Sequence, residues 1–160
     1  MFVEVKVGAL IMDPNSNTPI VVLKGVEGEA IVPIWVGAYE ANAIALEIEK
    51  IVPQRPMTHD LLRNVITEMK CRVEKILVSD LLENTFYAII EMKDSSDNTI
   101  SIDARPSDAI ALALRTDCPI FVAQKVLDIS NSSTTIQNKL EEEDFEDIQK
   151  PIEEWPDLIG

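Results

Sequence analysis

Four polar side chains crowd into a short stretch where an alternating apolar strand runs into a helix: Asp103, Arg105, Ser107 and Asp108. Free backbone N–H groups and the positive end of the helix dipole lie at such a junction. Carboxylates there can hold a divalent cation, and a guanidinium can bind a phosphate. The same residue types also serve as helix caps and as local ion pairs. The pattern therefore indicates either a phosphate-directed site or a structural helix start.

The only histidine of the chain, His59, is the second candidate, because any imidazole chemistry must take place there. Thr58 before it is predicted to cap a helix, and Asp60 after it can stabilise the helix dipole or ligate a metal. The cationic form of a histidine is disfavoured at a helix start, which suits a general base. The alternative is a first-turn residue that packs or bonds locally.

The chain is acidic, with a formal net charge of −14 over 160 residues. It lacks the basic surface that is typical of proteins binding duplex nucleic acid. A polyanionic substrate would therefore need bound metal ions or a local patch of arginines. The candidates for that patch are Arg55, Arg63, Arg72, Arg105 and Arg115.

Composition indicates a globular, soluble domain, with 46% hydrophobic residues. No apolar run reaches the roughly 20 residues that a membrane span requires, so no membrane partner is expected. The two cysteines, Cys71 and Cys118, lack a Cys-x-x-Cys spacing, and no export signal is visible at the start. These features favour a reducing cytoplasm.

Apolar periodicity and short connections predict an α+β fold with a largely antiparallel sheet. Turns are predicted at Glu83-Asn84, where Asn tolerates the left-handed conformation, and at 94–98. The predicted strands cover 3–7, 18–24, 30–36, 72–78, 85–93, 99–103 and 119–123, and the predicted helices cover 37–50, 59–70 and 107–115.

The chain also repeats itself. Residues 41–49 match residues 107–115, and an apolar strand precedes each of these helices. We predict two strand–strand–strand–helix units, about 1–52 and 71–123, that form one pseudo-twofold domain with the two Ala-rich helices packed together. Strand edges at both ends of such a sheet favour a homodimer.

An acidic tail, 131–160, follows the domain at 1–130. The tail carries nine acidic and two basic side chains, and a polar stretch at 130–135 is predicted to be a linker. Apolar anchors such as Phe145 and Trp155 favour docking on the protein's own surface. A strip that binds a partner, or a mimic of nucleic acid, is the alternative.

Five motifs resemble the bifunctional nuclease domain family, in consistent order over roughly residues 1–130. They are Ile34-Trp-Val-Gly37 with Glu40-Ala41, the stretch 54–62 (QRPMTHDLL), the stretch 80–88 (DLLENTFYA), the stretch 102–115 (IDARPSDAIALALR) and Pro119-Ile-Phe-Val-Ala123. The resemblance implies a small domain of bacterial and plant proteins that cleaves DNA and RNA. One departure is the turn at 83–85, usually Asp-Gly-Thr and here Glu-Asn-Thr.

Two functions remain open at this point. The first is a nuclease that uses Mg²⁺ or Mn²⁺ held by Asp103 and Asp108, with single-stranded DNA or RNA favoured over duplex. Its other predicted residues are His59 and Asp60 in catalysis, and Arg55, Thr58, Arg105 and Ser107 in substrate binding. The second is a non-catalytic dimeric binding or regulatory module, which the acidic charge favours. Of Phe86 and Tyr87, one ring is predicted to lie in the core and the other to be available for base stacking.

Overall fold

The computed structural model describes residues 1–132, so most of the predicted acidic tail lies outside the described residues. Strands dominate the described part, and helices follow the third and sixth strands. The elements are β1 (Phe2–Met12), β2 (Pro19–Gly25), β3 (Ile31–Trp35), α1 (Ala38–Ile48), α2 (Thr58–Glu68), β4 (Arg72–Leu82), β5 (Thr85–Lys93), β6 (Thr99–Ala104), α3 (Pro106–Thr116), β7 (Ile120–Ala123) and α4 (Gln124–Ser132).

The strands form one seven-stranded sheet in the order β3-β2-β1-β7-β4-β5-β6. All neighbours are antiparallel except β4 and β7, which run parallel. The predicted α+β class with a largely antiparallel sheet is therefore confirmed. No helix within residues 1–132 combines the length and apolar character needed to cross a membrane.

Alternation along the strands places one apolar face of the sheet against the helices. The alternation is clear in β4, where Ile76 and Val78 are fully buried between partly exposed neighbours. The core joins these strand residues to α1, α3 and α4. Its largest fully buried side chains include Leu23, Ile44, Ile76, Ile110, Leu112, Val122 and Val126.

Each half of the sheet is a three-stranded meander followed by a helix. β1-β2-β3 precedes α1, β4-β5-β6 precedes α3, and the two helices pack against each other. Ala41 in α1 and Ala109 in α3 are fully buried. The order and the helix contact agree with the repeat pattern, and the superposition of the two halves stays a prediction.

The residues that begin two helices differ from the predicted ones. Thr58 is not a cap: Met57 precedes α2 in an extended conformation, and the Asp60 carboxylate accepts a hydrogen bond from the Met57 N–H at 3.0 Å. Ser107 is not a cap either, because α3 starts at Pro106. Proline suits the first helical position, where its missing N–H costs nothing.

Two other local predictions have different outcomes. The β4–β5 turn is confirmed, with φ of 50° at Glu83 and 62° at Asn84, both left-handed. The predicted linker at 130–135 begins too early, because α4 extends to Ser132. Val126 and Leu127 of α4 are buried in the core, so the first part of this helix packs against the sheet domain.

One buried cation joins the three helices that surround the candidate site. The Arg115 side chain is only 3% exposed, and its Nε donates to Asp60 Oδ1 at 2.8 Å. Its Nη1 donates to the Ala111 carbonyl and its Nη2 to the Ala43 carbonyl, each at 2.9 Å. Arg115 thus ties α3, on which it lies, to α1 and α2.

We predict that Asp60→Asn destabilises the fold at neutral pH. Burial raises the pKa of Asp60, but the Met57 N–H and the Arg115 guanidinium lower it, and the net direction is downward. Its stabilisation is therefore present above the unfolded-state pKa of about 3.9 and is lost as pH falls through the lower folded-state pKa. Breaking a buried pair costs about 3–5 kcal/mol.

Urea unfolding at pH 7 and near pH 3 measures this difference, which should shrink at the lower pH. Arg115→Met removes the other partner of the buried pair. Arg72→Met is its control, because Arg72 also pairs with carboxylates but on an exposed surface. Only the first should lower the unfolding midpoint strongly. Equal midpoints for wild type and Asp60→Asn at pH 7 would contradict the role of the pair.

Candidate functional site

A cleft of about 1010 Å³ lies where α1, α2 and the start of α3 meet the edge of the sheet. Its lining is mostly apolar, with a small polar cluster. The lining residues are Tyr39, Glu40, Asn42, Ala43, Met57, Thr58, His59, Leu61, Leu62, Val65, Ile90, Ile102, Asp103, Ala104, Arg105, Asp108 and Arg115. An apolar cleft with a few converging polar groups is the usual form of a ligand site.

The polar cluster begins with a histidine–carboxylate pair. His59 lies in the first turn of α2 and Asp108 in the first turn of α3, and 2.9 Å separates Nε2 from Oδ1. The imidazole is 12% exposed, so it is held largely by its surroundings. A carboxylate on one ring nitrogen fixes the tautomer and orientation of the ring and leaves Nδ1 as the other proton site.

Arg105 closes the cluster from the residue before α3. Its Nε donates to Asp108 Oδ2 at 2.9 Å and its Nη2 donates to Glu40 Oε1 at 2.9 Å, while Nη2 also lies 2.8 Å from Asp108 Oδ2 as an ion pair. These carboxylates, Asp108 first and Glu40 second, raise the pKa of Arg105, which stays charged. The side chain is 66% exposed, and its Nη1 bonds to none of the described residues. A donor thus remains for a ligand.

Glu40 is a site residue that the sequence predictions did not include. It lies in the first turn of α1, and its carboxylate rests against Gly37: a Cβ at position 37 would overlap Glu40 Oε2. Glycine before the helix therefore leaves the space that this carboxylate occupies. The sequence did offer a signal for Glu40, because Gly37 lies three residues before this acidic residue at a predicted helix start.

The predicted site residues divide into two groups. His59, Asp108, Arg105 and Thr58 border the cleft. Asp108 contacts both His59 and Arg105. Asp60 does not line it, since its oxygens are bound to Met57 and Arg115.

Three further predicted residues stand apart from the cluster. Ser107 is buried, and Arg55 is exposed away from the cleft lining. Asp103 borders the cleft but makes no hydrogen bond or ion pair with Arg105 or Asp108. Asp103 lies on the edge strand β6, where its partner on β5 is Ile89.

The five predicted arginines do not converge on one patch. Arg72 pairs with Glu74 and Asp97 on the exposed surface, and Arg63 donates to Asn64. Arg115 is buried as described above. Of the five, Arg105 alone presents an exposed guanidinium in the cleft.

The fit of the cluster to a metal ion follows from its donors. Within residues 1–132, no three His, Cys, Asp or Glu side chains are close enough to hold an ion by themselves. Asp108 and Glu40 do supply carboxylates, and with a neutral His59 the two of them and Arg105 carry one net negative charge. Mg²⁺ is often bound by one or two carboxylates together with a substrate phosphate. Both oxygens of Asp108 and one of Glu40 are already bonded to His59 or Arg105, so an ion here would need further ligands from a bound phosphate.

The two aromatic rings on β5 are separated as predicted. Phe86 packs against the core, whereas Tyr87 is exposed. Tyr87 does not line the cleft, however, and the tyrosine that does is Tyr39, at the start of α1.

Comparison with known proteins identifies the domain. A family model described as the bifunctional nuclease domain matches residues 21–135. A protein of Mycobacterium tuberculosis, named as uncharacterised, is 40% identical over 124 residues, which are 78% of this chain and 73% of that protein.

Two rice proteins are more distant. Bifunctional nuclease 2 of Oryza sativa subsp. japonica is 29% identical over 111 residues, 68% of this chain and 34% of that protein. Bifunctional nuclease 1 of Oryza sativa subsp. indica is 25% identical over 109 residues, 66% of this chain and 33% of that protein. Because the family model covers most of the chain and the motifs around the cleft fall within it, this chain belongs to the bifunctional nuclease domain family.

Proposed function

We propose that this protein is a nuclease that hydrolyses phosphodiester bonds of DNA and RNA in the cleft between α1, α2 and α3. The observation that carries the proposal is the contact of His59, Asp108 and Arg105 in that cleft. Phosphodiester cleavage needs a base for the attacking hydroxyl or water, and a cation for the charge that develops on phosphorus. The cluster holds one group of each kind.

His59 is the proposed general base. Asp108 holds its Nε2, so Nδ1 is the nitrogen that takes the proton from the nucleophile. The carboxylate also stabilises the imidazolium that results. As the bond from phosphorus to the leaving oxygen breaks, that oxygen takes its proton from solvent. Arg105, oriented by Asp108 and Glu40, donates to a non-bridging phosphate oxygen through its free Nη1.

We also propose the divalent cation, Mg²⁺ or Mn²⁺, with Asp108 and Glu40 as its protein donors. A bound cation supplies charge neutralisation at the phosphate. The need for it is electrostatic, because the cluster itself carries net negative charge when His59 is neutral. Substrate and cation would therefore bind together.

A non-catalytic binding module is the second candidate, favoured by the acidic charge of the chain. It uses the same cleft and requires no proton transfer. Activity of the His59 and Asp108 variants separates the two candidates.

We also propose a homodimer, because the sheet has exposed strand edges at both ends. Strands β3 and β6 are the two ends of the sheet and have no further strand partner within residues 1–132. Exposed strand edges favour pairing with a second chain.

We predict that His59→Ala and Asp108→Asn each lower the cleavage rate of single-stranded DNA and RNA by at least about 100-fold. The reason is the loss of a general base or of the group that orients it. Initial rates on labelled oligonucleotides measure the effect, with urea unfolding as the check that each variant is folded.

Asp103→Ala tests the remaining sequence-based assignment. Its rate should stay within a few-fold of wild type, because Asp103 contacts neither His59 nor Arg105 in the described structure. A loss as large as that of Asp108→Asn would instead return Asp103 to the site. Full activity of the His59→Ala/Asp108→Asn double variant would reject the nuclease and favour the binding module.

We predict that EDTA abolishes cleavage and that excess Mg²⁺ or Mn²⁺ restores it. The physical reason is the net negative charge of the cluster facing an anionic substrate. Rates measured across a series of chelator concentrations check this. Cleavage that EDTA does not change would reject the cation and leave the proposed roles of His59 and Arg105 untouched.

Light scattering at micromolar concentration is expected to give twice the chain mass of 17.8 kDa. A mass of one chain under these conditions would reject the homodimer. The measurement needs no substrate and is independent of the nuclease assay.

A further inference from the structure

Tyr39 is an aromatic ring without a packing role in the described structure. It lies in the first turn of α1 and is 84% exposed, and it lines the same cleft as His59 and Arg105. Its chain neighbour Glu40 binds Arg105 directly. Tyr39 thus borders the same cleft as the cluster, with its ring open to solvent.

One side of the cleft is an exposed apolar surface, here called the apolar wall, formed by side chains of α2 and β6. α2 has no fully buried residue, and its apolar side chains Leu61, Leu62 and Val65 are exposed along the cleft. Ile102 of β6 is exposed in the same lining. Leaving this area in water costs stability, which a flat apolar ligand would recover.

We propose that Tyr39 stacks on an unpaired nucleobase, with the apolar wall beneath it, while the adjacent phosphate meets Arg105. The inference rests on the proposed nuclease function and names its substrate as a single strand. A base in a duplex is already stacked on both sides and cannot enter a cleft without being extruded. Aromatic stacking on single strands is independent of sequence, because every base has a π-face.

The charges beside the ring favour this occupant over an apolar helix of another protein. Such a partner would cover Arg105, Glu40 and Asp108 together with the wall and would desolvate all three. A nucleotide instead places its apolar base on the wall and its phosphate on the guanidinium. The two kinds of group in the cleft match the two parts of one ligand.

Binding of a labelled phosphorothioate oligothymidine, which resists cleavage, measured by fluorescence anisotropy in Mg²⁺ so that the proposed cation is present, tests the proposal. Tyr39→Ala should weaken binding roughly 5- to 150-fold, and Tyr39→Phe and Tyr39→Trp should retain it. A strand of the same length with abasic sites should bind wild type and Tyr39→Ala equally. Tyr87→Ala is the matched control, an exposed tyrosine outside the cleft lining, and should bind like wild type.

Other results would overturn the proposal. Equal losses on the base-bearing and abasic strands, or a loss in Tyr87→Ala as large as in Tyr39→Ala, would show that stacking at Tyr39 is not the cause. A fall from dimer to monomer in Tyr39→Ala would assign the surface to a second copy of the chain. Base-dependent binding without any cleavage would support the stacking site and reject the nuclease. Cleavage and binding that do not change in Tyr39→Ala would support the nuclease and reject the stacking site.

Discussion

The arrangement of the helices depends on one buried guanidinium. A cation removed from water must have its donors satisfied, and Arg115 satisfies its own with Asp60 and two helix carbonyls on α1 and α3. Each of the three helices carries one member of the polar cluster: Glu40 on α1, His59 on α2 and Asp108 on α3. The buried Arg115–Asp60 pair therefore links the helices that carry the site.

Charge at the site is close to balanced, and this shapes how it can bind. Asp108 lies between His59 and Arg105 and accepts from both sides when the imidazole carries a proton on Nε2. Its negative charge holds both groups in place but also cancels much of their attraction for a phosphate. Affinity for a polyanion must then come from elsewhere in the cleft, from a cation or from contacts to the bases. The large apolar lining is where such contacts are available.

Local patterns in the sequence were sufficient for the elements but not for the contacts among them. Strand alternation, the left-handed turn at Asn84 and the helix after Pro106 depend on neighbouring residues, so they can be read along the chain. The capping predictions failed where a carboxylate inside the helix, Asp60, reached back to the residue before it. Thr58 carried the right chemistry, but it lies one position too late.

The candidate site was predictable in part for the same reason. His59 and Asp108 could be singled out by residue type, yet their contact joins positions 49 residues apart, and nothing local reports it. Asp103 borders the cleft but makes no hydrogen bond or ion pair with the His59–Asp108 pair, so its part in the chemistry stays a prediction. The pairing of Asp60 with Arg115 spans 55 residues, and this structural contact of a residue predicted to be catalytic could not be read along the chain.

The sparse burial of α2 affects how long the His59–Asp108 contact lasts. α2 buries no residue fully and is held by Ile66 against the core and by the Asp60–Arg115 pair, so breaking that one pair accounts for most of the free energy that local opening of α2 requires. When it opens, His59 leaves with it while Asp108 stays on the well-buried α3. Amide protons of α2 would then exchange with solvent ahead of those in α3, and the histidine–carboxylate pair would persist only as long as that helix stays closed.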